Sequence, residues 1–257
     1  MFTSMNPLRT PSADQPDRTA APSTRGRFVI HRHEPEPKAL TLLWSLYLLV
    51  AAGMTIFAVD QLWLYDAGVF RISSKVMLGM VGLGIGALWP MVRLSQAAPT
   101  NPAGSVLADV MAISVPAQAV LWPLTLLGGW MWGVTAAIAL ALVAWTLLLG
   151  GVIALGVSAF AGIGRSFWML VALAVVLGAP VWAMSIGWSA HDNPAPVDWR
   201  LCSPLTMGWG MTATLAGGAA RLTPDKWIGV LIPAASAIVV WSIFGSLSGL
   251  RLSLKDR

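Results

Sequence analysis

The chain has 257 residues, of which 56% are hydrophobic and 11% charged, with a net charge of +5 and a single cysteine. Soluble domains carry about 25% charged residues, so this composition excludes an ordinary water-soluble fold. One cysteine excludes an intrachain disulfide framework and a Cys-rich metal site, and the basic residues form no stripe of the kind that binds nucleic acid.

Residues 1–38 are rich in Pro, Ser, Thr, Asp and Arg and lack apolar periodicity. That pattern predicts a disordered tail. No signal-peptide apolar region precedes Ala39, so the first apolar segment is expected to be an uncleaved anchor. Residues 39–257 read as a transmembrane helical domain. Its six long apolar segments run over Ala39–Val59, Val76–Val92, Val106–Leu127, Val134–Phe160, Phe167–Trp188 and Trp227–Leu250, with no ionisable residue near any middle. A bilayer-crossing helix needs about 20 apolar residues, so the expected fold is all-α: a polytopic bundle of six transmembrane helices in the lipid bilayer. Pro116, Pro123 and Pro233 are tolerable inside such helices because neighbours satisfy the freed carbonyls.

Trp89, Trp130, Trp132, Trp168, Trp188 and Trp227 fall near segment ends, where amphipathic rings prefer the interface. Trp145 and Trp241 fall deeper and are expected to pack. The spacings Gly82-x-x-x-Gly86, Gly129-x-x-x-Gly133 and Gly245-x-x-x-Gly249 suit close helix approach. A cytoplasmic N terminus places Arg32, Lys38, Arg93, Arg165, Arg251 and Lys255 inside and Arg71, Lys75, Arg200, Arg221 and Lys226 outside. The positive-inside rule then predicts both termini in the cytoplasm, in a membrane of the bacterial inner (plasma) type.

Leu201–Ala220 is uncharged and long enough for a seventh crossing, but Pro204, Gly208, Gly210, Gly217 and Gly218 weaken it. A seventh crossing would also move Arg251 and Lys255 to the outside. A re-entrant or interfacial hairpin on the outer face, between the fifth and sixth spans, is the expected form.

The chemistry of the chain is sparse. His31, His33 and His191 lie outside the spans, so paired imidazoles for haem are missing at membrane depth. Asp60, Asp66 and Asp109 sit at span edges and read first as solvated or capping groups rather than coupling carboxylates. His31-x-His33, ahead of Glu34 and Glu36, reads as solvated tail rather than a metal site. No phosphate-binding loop, Gly-x-Ser-x-Gly or His-Glu-x-x-His motif occurs. The expectation is therefore no catalytic residue, no cofactor and no metal in this chain, and no enzyme activity of its own.

Six spans, both termini inside, a short link between the second and third spans and a long outer segment before the last resemble the permease subunits of type-2 ABC transporters. Gly156-Val-Ser-Ala-Phe-Ala-Gly-Ile-Gly-Arg165 is similar to the small-residue exit and basic turn of that family. Pro180 is similarly placed, and Ser203-Pro204-Leu205-Thr206 looks like the phrase before its re-entrant helices. Glu34-Pro-Glu-Pro-Lys38 stands where that family has an amphipathic interfacial helix. The resemblance implies a permease moving a substrate with separate ATPase subunits, as a homodimer or paired with a similar permease. It implies partner contacts at Arg93, Asp109 and Arg165, and an outer re-entrant segment at Ser203, Pro204, Leu205 and Thr206. The alternative is a non-catalytic scaffold or anchor subunit of a larger membrane complex.

Overall fold

In a computed structural model the chain divides into Met1–His33 and Glu34–Arg257. The described residues are 37–60, 67–158, 164–185, 198–213 and 220–255, all within the second unit. The predicted tail up to Glu36, the three histidines, Asp66 and Trp188 lie outside them, while the tail's last two residues, Pro37 and Lys38, are helical and begin the first span.

The architecture is all-α. Helix α1 spans Pro37–Asp60 and α2 Ala67–Leu83; a π-helical turn at Gly84–Leu88 joins α2 without a break to α3, Trp89–Ser95. Helices α4 (Pro102–Gly128), α5 (Trp132–Ser158) and α6 (Gly164–Ser185) follow. A 3₁₀ turn at Trp199–Cys202, the short α7 (Met207–Met211) and a second 3₁₀ turn at Pro224–Trp227 then lead to α8, Ile228–Lys255. Among the described residues, five helical stretches are long and apolar enough to cross a membrane: Phe70–Ser95, Pro102–Gly128, Trp132–Ser158, Gly164–Trp182 and Pro224–Ser248. The sixth expected span is the apolar stretch Leu40–Thr55 of α1.

Five of the expected segments match to within a few residues, and one does not. The second begins well before Val76, so Arg71 and Lys75 are helical residues rather than loop charges. The described residues of the Leu201–Ala220 stretch, 201–213 and 220, form no crossing helix. They make two short helical turns, and Lys226 bonds the carbonyls of both Met211 and Arg221, so the chain enters and leaves on one side.

Helix α5 is the centre of the bundle, with most of its residues buried and α4, α6 and α8 packed around it. Its small residues make this possible, because helices associating in lipid depend on close backbone approach. A Cβ on Gly150 would crowd Val110 of α4, one on Gly151 would crowd Val240 of α8, and one on Gly156 would crowd Trp168 of α6. Of the glycine pairs singled out in the sequence, Gly82 and Gly86 do serve close approach, while Gly133 and Gly245 meet nothing within 4 Å. Gly129 has φ 60° and ends α4 as a left-handed cap, a conformation open to glycine at little cost. Trp145 and Trp241 are packing residues as expected, and Trp241 donates its indole N–H to the Leu147 carbonyl at 2.9 Å. Trp89 and Trp130 are buried, whereas Trp132 is largely exposed.

Candidate functional site

The bundle has two polar ends. We call the end holding the start of α1 and the α3–α4 link the tail end, and the end holding α7 the hairpin end.

At the tail end α3 stops at Ser95, with Gln96 extended, and Pro99 holds the link out of the helical region at Ala98. Helix α4 then restarts at Asn101, whose side chain accepts from the Gly104 N–H at 3.1 Å, with Pro102 at the first helical position. The link between them is largely exposed, but what holds it is buried. Arg93 in α3 lies with Nε 2.9 Å from Oδ2 of Asp109 in α4, an ion contact outside hydrogen-bond angles, and both side chains are 6% exposed. The guanidinium also donates Nη1 to Gln96 Oε1 at 2.9 Å and Nη2 to Ser105 Oγ. Ser105 and Asp109 are four residues apart and so share one face of α4. Arg165, in the first turn of α6, donates to the Gln96 carbonyl at 2.6 Å. A cavity of about 120 Å³ adjoins the pair, walled by Leu40 and Leu43 of α1 and by Trp89, whose buried indole N–H closes no hydrogen bond.

The three residues assigned to partner contact are thus brought together, but in different roles. Arg93 and Asp109 are 5% and 4% exposed and brace the link from within, and Arg165 alone is exposed. Gln96 and Ser105 were not visible as site residues in the sequence. They are ordinary polar residues that matter only because Arg93 reaches both.

At the hairpin end, Asp198 accepts from the Arg200 backbone and side chain and starts the 3₁₀ turn. Ser203 donates to the Val176 carbonyl of α6 at 2.7 Å and accepts from the Leu205 N–H at 3.2 Å. Thr206 donates to the Arg200 carbonyl at 2.8 Å. Pro204 rests on Gly82 so closely that a Cβ there would overlap its carbonyl, and its ring lies beside Gly86. Gly82 is about 22 Å along the helix from Ala67 at 1.5 Å per residue, near the middle of the span. The Ser203–Thr206 phrase therefore re-enters to mid-bundle, next to a π-helical turn, a feature often found at functional positions.

Lys226 locks this segment. Its ammonium donates to the carbonyls of Met211 at 2.9 Å, Ala213 at 3.0 Å and Arg221 at 3.0 Å, and the residue is 9% exposed. Lys75 sits 5.5 Å from the Trp209 ring centre, a cation–π contact that ties α2 to α7. Cys202 is half-buried, and burial, with Asp198 nearby, pushes its thiol above the ordinary value. The sequence placed Lys226 among loop charges, and nothing in its spacing signalled the carbonyl cage.

Among the described residues no group of three or more His, Cys, Asp or Glu is arranged to hold a metal ion. No protein-family model, no curated protein and no solved structure matches this chain.

Proposed function

We propose that the chain is the membrane-spanning permease subunit of an ABC transporter in a plasma membrane of the bacterial inner type. Its N and C termini face the cytoplasm, and separate ATPase subunits dock at the tail end. The observation that carries this reading is the pairing of a braced, exposed link at one end with a segment re-entering to mid-bundle at the other. The link Gln96–Asn101 is held from below by Arg93, Asp109 and Ser105 and from the side by Arg165. A partner pushing on it moves α3 and α4 together through the buried Arg93–Asp109 contact, and α6 with them through the exposed Arg165–Gln96 bond. The π-helical turn leads from α3 to the helix on which Pro204 rests, so that motion reaches the re-entrant segment. Spans with few charges suit an amphipathic cargo, and a second permease copy completes the path.

The test is co-expression with the adjacent genes followed by detergent purification on a tagged copy. Recovery of an ATP-hydrolysing subunit, cross-linked by cysteines placed at Ala97 or Ala98, supports the reading. Stoichiometric recovery of redox or photosynthetic subunits with no nucleotide-binding partner would establish the anchor reading in its place.

A further inference from the structure

A second cavity lies in the half of the bundle nearer the hairpin end. Its volume is about 300 Å³, and its walls include Ala52 and Thr55 of α1, Ser74 and Met77 of α2, and Ala119 and Pro123 of α4. Each wall has a sequence reason. Ala52 and Ala119 are too small to fill the space between the helices. Pro123 lacks the N–H that would bind the Ala119 carbonyl, so α4 is loosened where it lines the cleft. The Thr55 hydroxyl is turned back on its own helix, donating to Ala51 and Ala52, and so leaves its methyl for the cleft.

The cleft's size, lining and position point to one occupant. An apolar slot walled by bilayer-spanning helices meets hydrocarbon, and about 300 Å³ is room for several methylene groups of an acyl chain. The cleft ends at Leu127, at the last turn of α4. Arg71, one helical turn from Ser74 and Lys75, reaches this same place, its guanidinium within 3.8 Å of the position a Cβ on Gly129 would take. Among the residues whose side chains are described, which exclude Asp60 and Asp66, no carboxylate pairs with Arg71. A guanidinium at the interface end of an apolar cleft is placed to take a lipid phosphate by charge-assisted hydrogen bonds.

We propose that this cleft between α1, α2 and α4 binds an anionic phospholipid from the bilayer, one acyl chain in the slot and the phosphate against Arg71. The site does not depend on the transport reading; an anchor subunit would hold the lipid equally well.

The experiment uses the full chain in nanodiscs containing trace photoreactive lipid with a diazirine in one acyl chain, on three carriers: phosphatidylglycerol, phosphatidylcholine and the free fatty acid. Cross-linked peptides are mapped by mass spectrometry. Phosphatidylglycerol should label Ala52–Thr55, Phe70–Met77 and Ala119–Leu127 about fivefold more than phosphatidylcholine does, the preference one basic residue gives at a membrane surface. Arg71→Gln should bring that ratio to about one, and Ala119→Phe, which fills the slot, should remove cleft labelling by either lipid. Ala52→Phe fills it from the opposite wall and serves if the first variant does not fold, as judged by its elution and unfolding midpoint. Labelling spread evenly over the lipid-facing helices, or a phosphatidylglycerol preference unchanged in Arg71→Gln, would overturn the proposal. Labelling by the fatty acid alone would overturn the assignment to a phospholipid.

Discussion

The two ends of the bundle bury a cation by opposite means. At the tail end Arg93 is matched to a carboxylate, Asp109, on a neighbouring helix, and its remaining donors go to Gln96 and Ser105. At the hairpin end Lys226 has no carboxylate within its cage and is held by three backbone carbonyls. The difference follows from the backbone. Arg93 reaches from the last turn of α3 to the interior of α4, whose carbonyls near Ser105 and Asp109 are taken up within the helix, so its partners there are side chains. The hairpin is built of short turns that leave carbonyls open, because the last carbonyls of a helix have no intrahelical partner. A point charge with three donors suits that cage, whereas the guanidinium fork suits a planar carboxylate and several oxygens at once. The tail end is thus braced by an interaction between helices, and the hairpin end by one within a single segment.

This contrast is broken most strongly at Asp109. Asp109→Ala leaves Arg93 buried without its counter-charge, and the cost of removing one member of a buried pair is about 3–5 kcal/mol. The purified variant should unfold at a markedly lower temperature, or fail to accumulate, whereas Asp109→Leu combined with Arg93→Met should recover most of the loss. A double variant no more stable than the single one would mean that the pair is not what holds α3 to α4.

Lys226→Met should cost less and act locally. Three carbonyls lose a donor, each worth about 1–3 kcal/mol if left dry, but the segment lies near an interface where water can replace the ammonium. The expected result is faster amide exchange over Met207–Ala213 with little change in global unfolding. Exchange rising equally in α4 would show that the hairpin braces the whole bundle rather than itself.

The smallest effect is at Cys202. Burial and the Asp198 charge raise the thiol pKa, so at neutral pH less of it is thiolate, the reactive form. Modification by an impermeant maleimide in spheroplasts should therefore be slow at neutral pH. It should climb as pH rises through and beyond about 8.5, the ordinary cysteine value, and Asp198→Asn should speed it modestly. The same reagent should leave a cysteine placed at Asp256, in a Cys202→Ser background, unmodified from outside. Reaction at that position would reverse the orientation assigned to the termini.

Much of this protein was legible without coordinates. The expected boundaries of five segments were close because uninterrupted apolar length is the dominant signal in a bilayer, where every backbone group must be satisfied within its own helix. The re-entrant segment was legible for the same reason in reverse, since its glycines and Pro204 weaken a run that length alone would make a span. The second span was misjudged at its start because Arg71 and Lys75 suggested a loop. Both are tolerated in α2 because the helix end lies at an interface and because Lys75 finds the Trp209 ring and Arg71 the α4 cap. Glycine spacing was a poor guide. Gly82 and Gly86 meet the hairpin while Gly245 meets nothing, and the difference lies in a partner more than 100 residues away in the chain.

The sequence by itself determined that the chain is a helical membrane bundle and where most of its helices run, and it marked the uncharged, glycine-rich Leu201–Ala220 stretch as the weakest candidate to cross. Those properties depend on local composition, which each segment carries alone. Only the tertiary structure decided that Arg93 and Asp109 face each other, that Lys226 closes the hairpin on itself, and that α1, α2 and α4 leave a cleft beside Arg71. Each of these is a juxtaposition of side chains from separate segments, set by which helix faces meet, and helical periodicity in a uniformly apolar span does not mark one face from another.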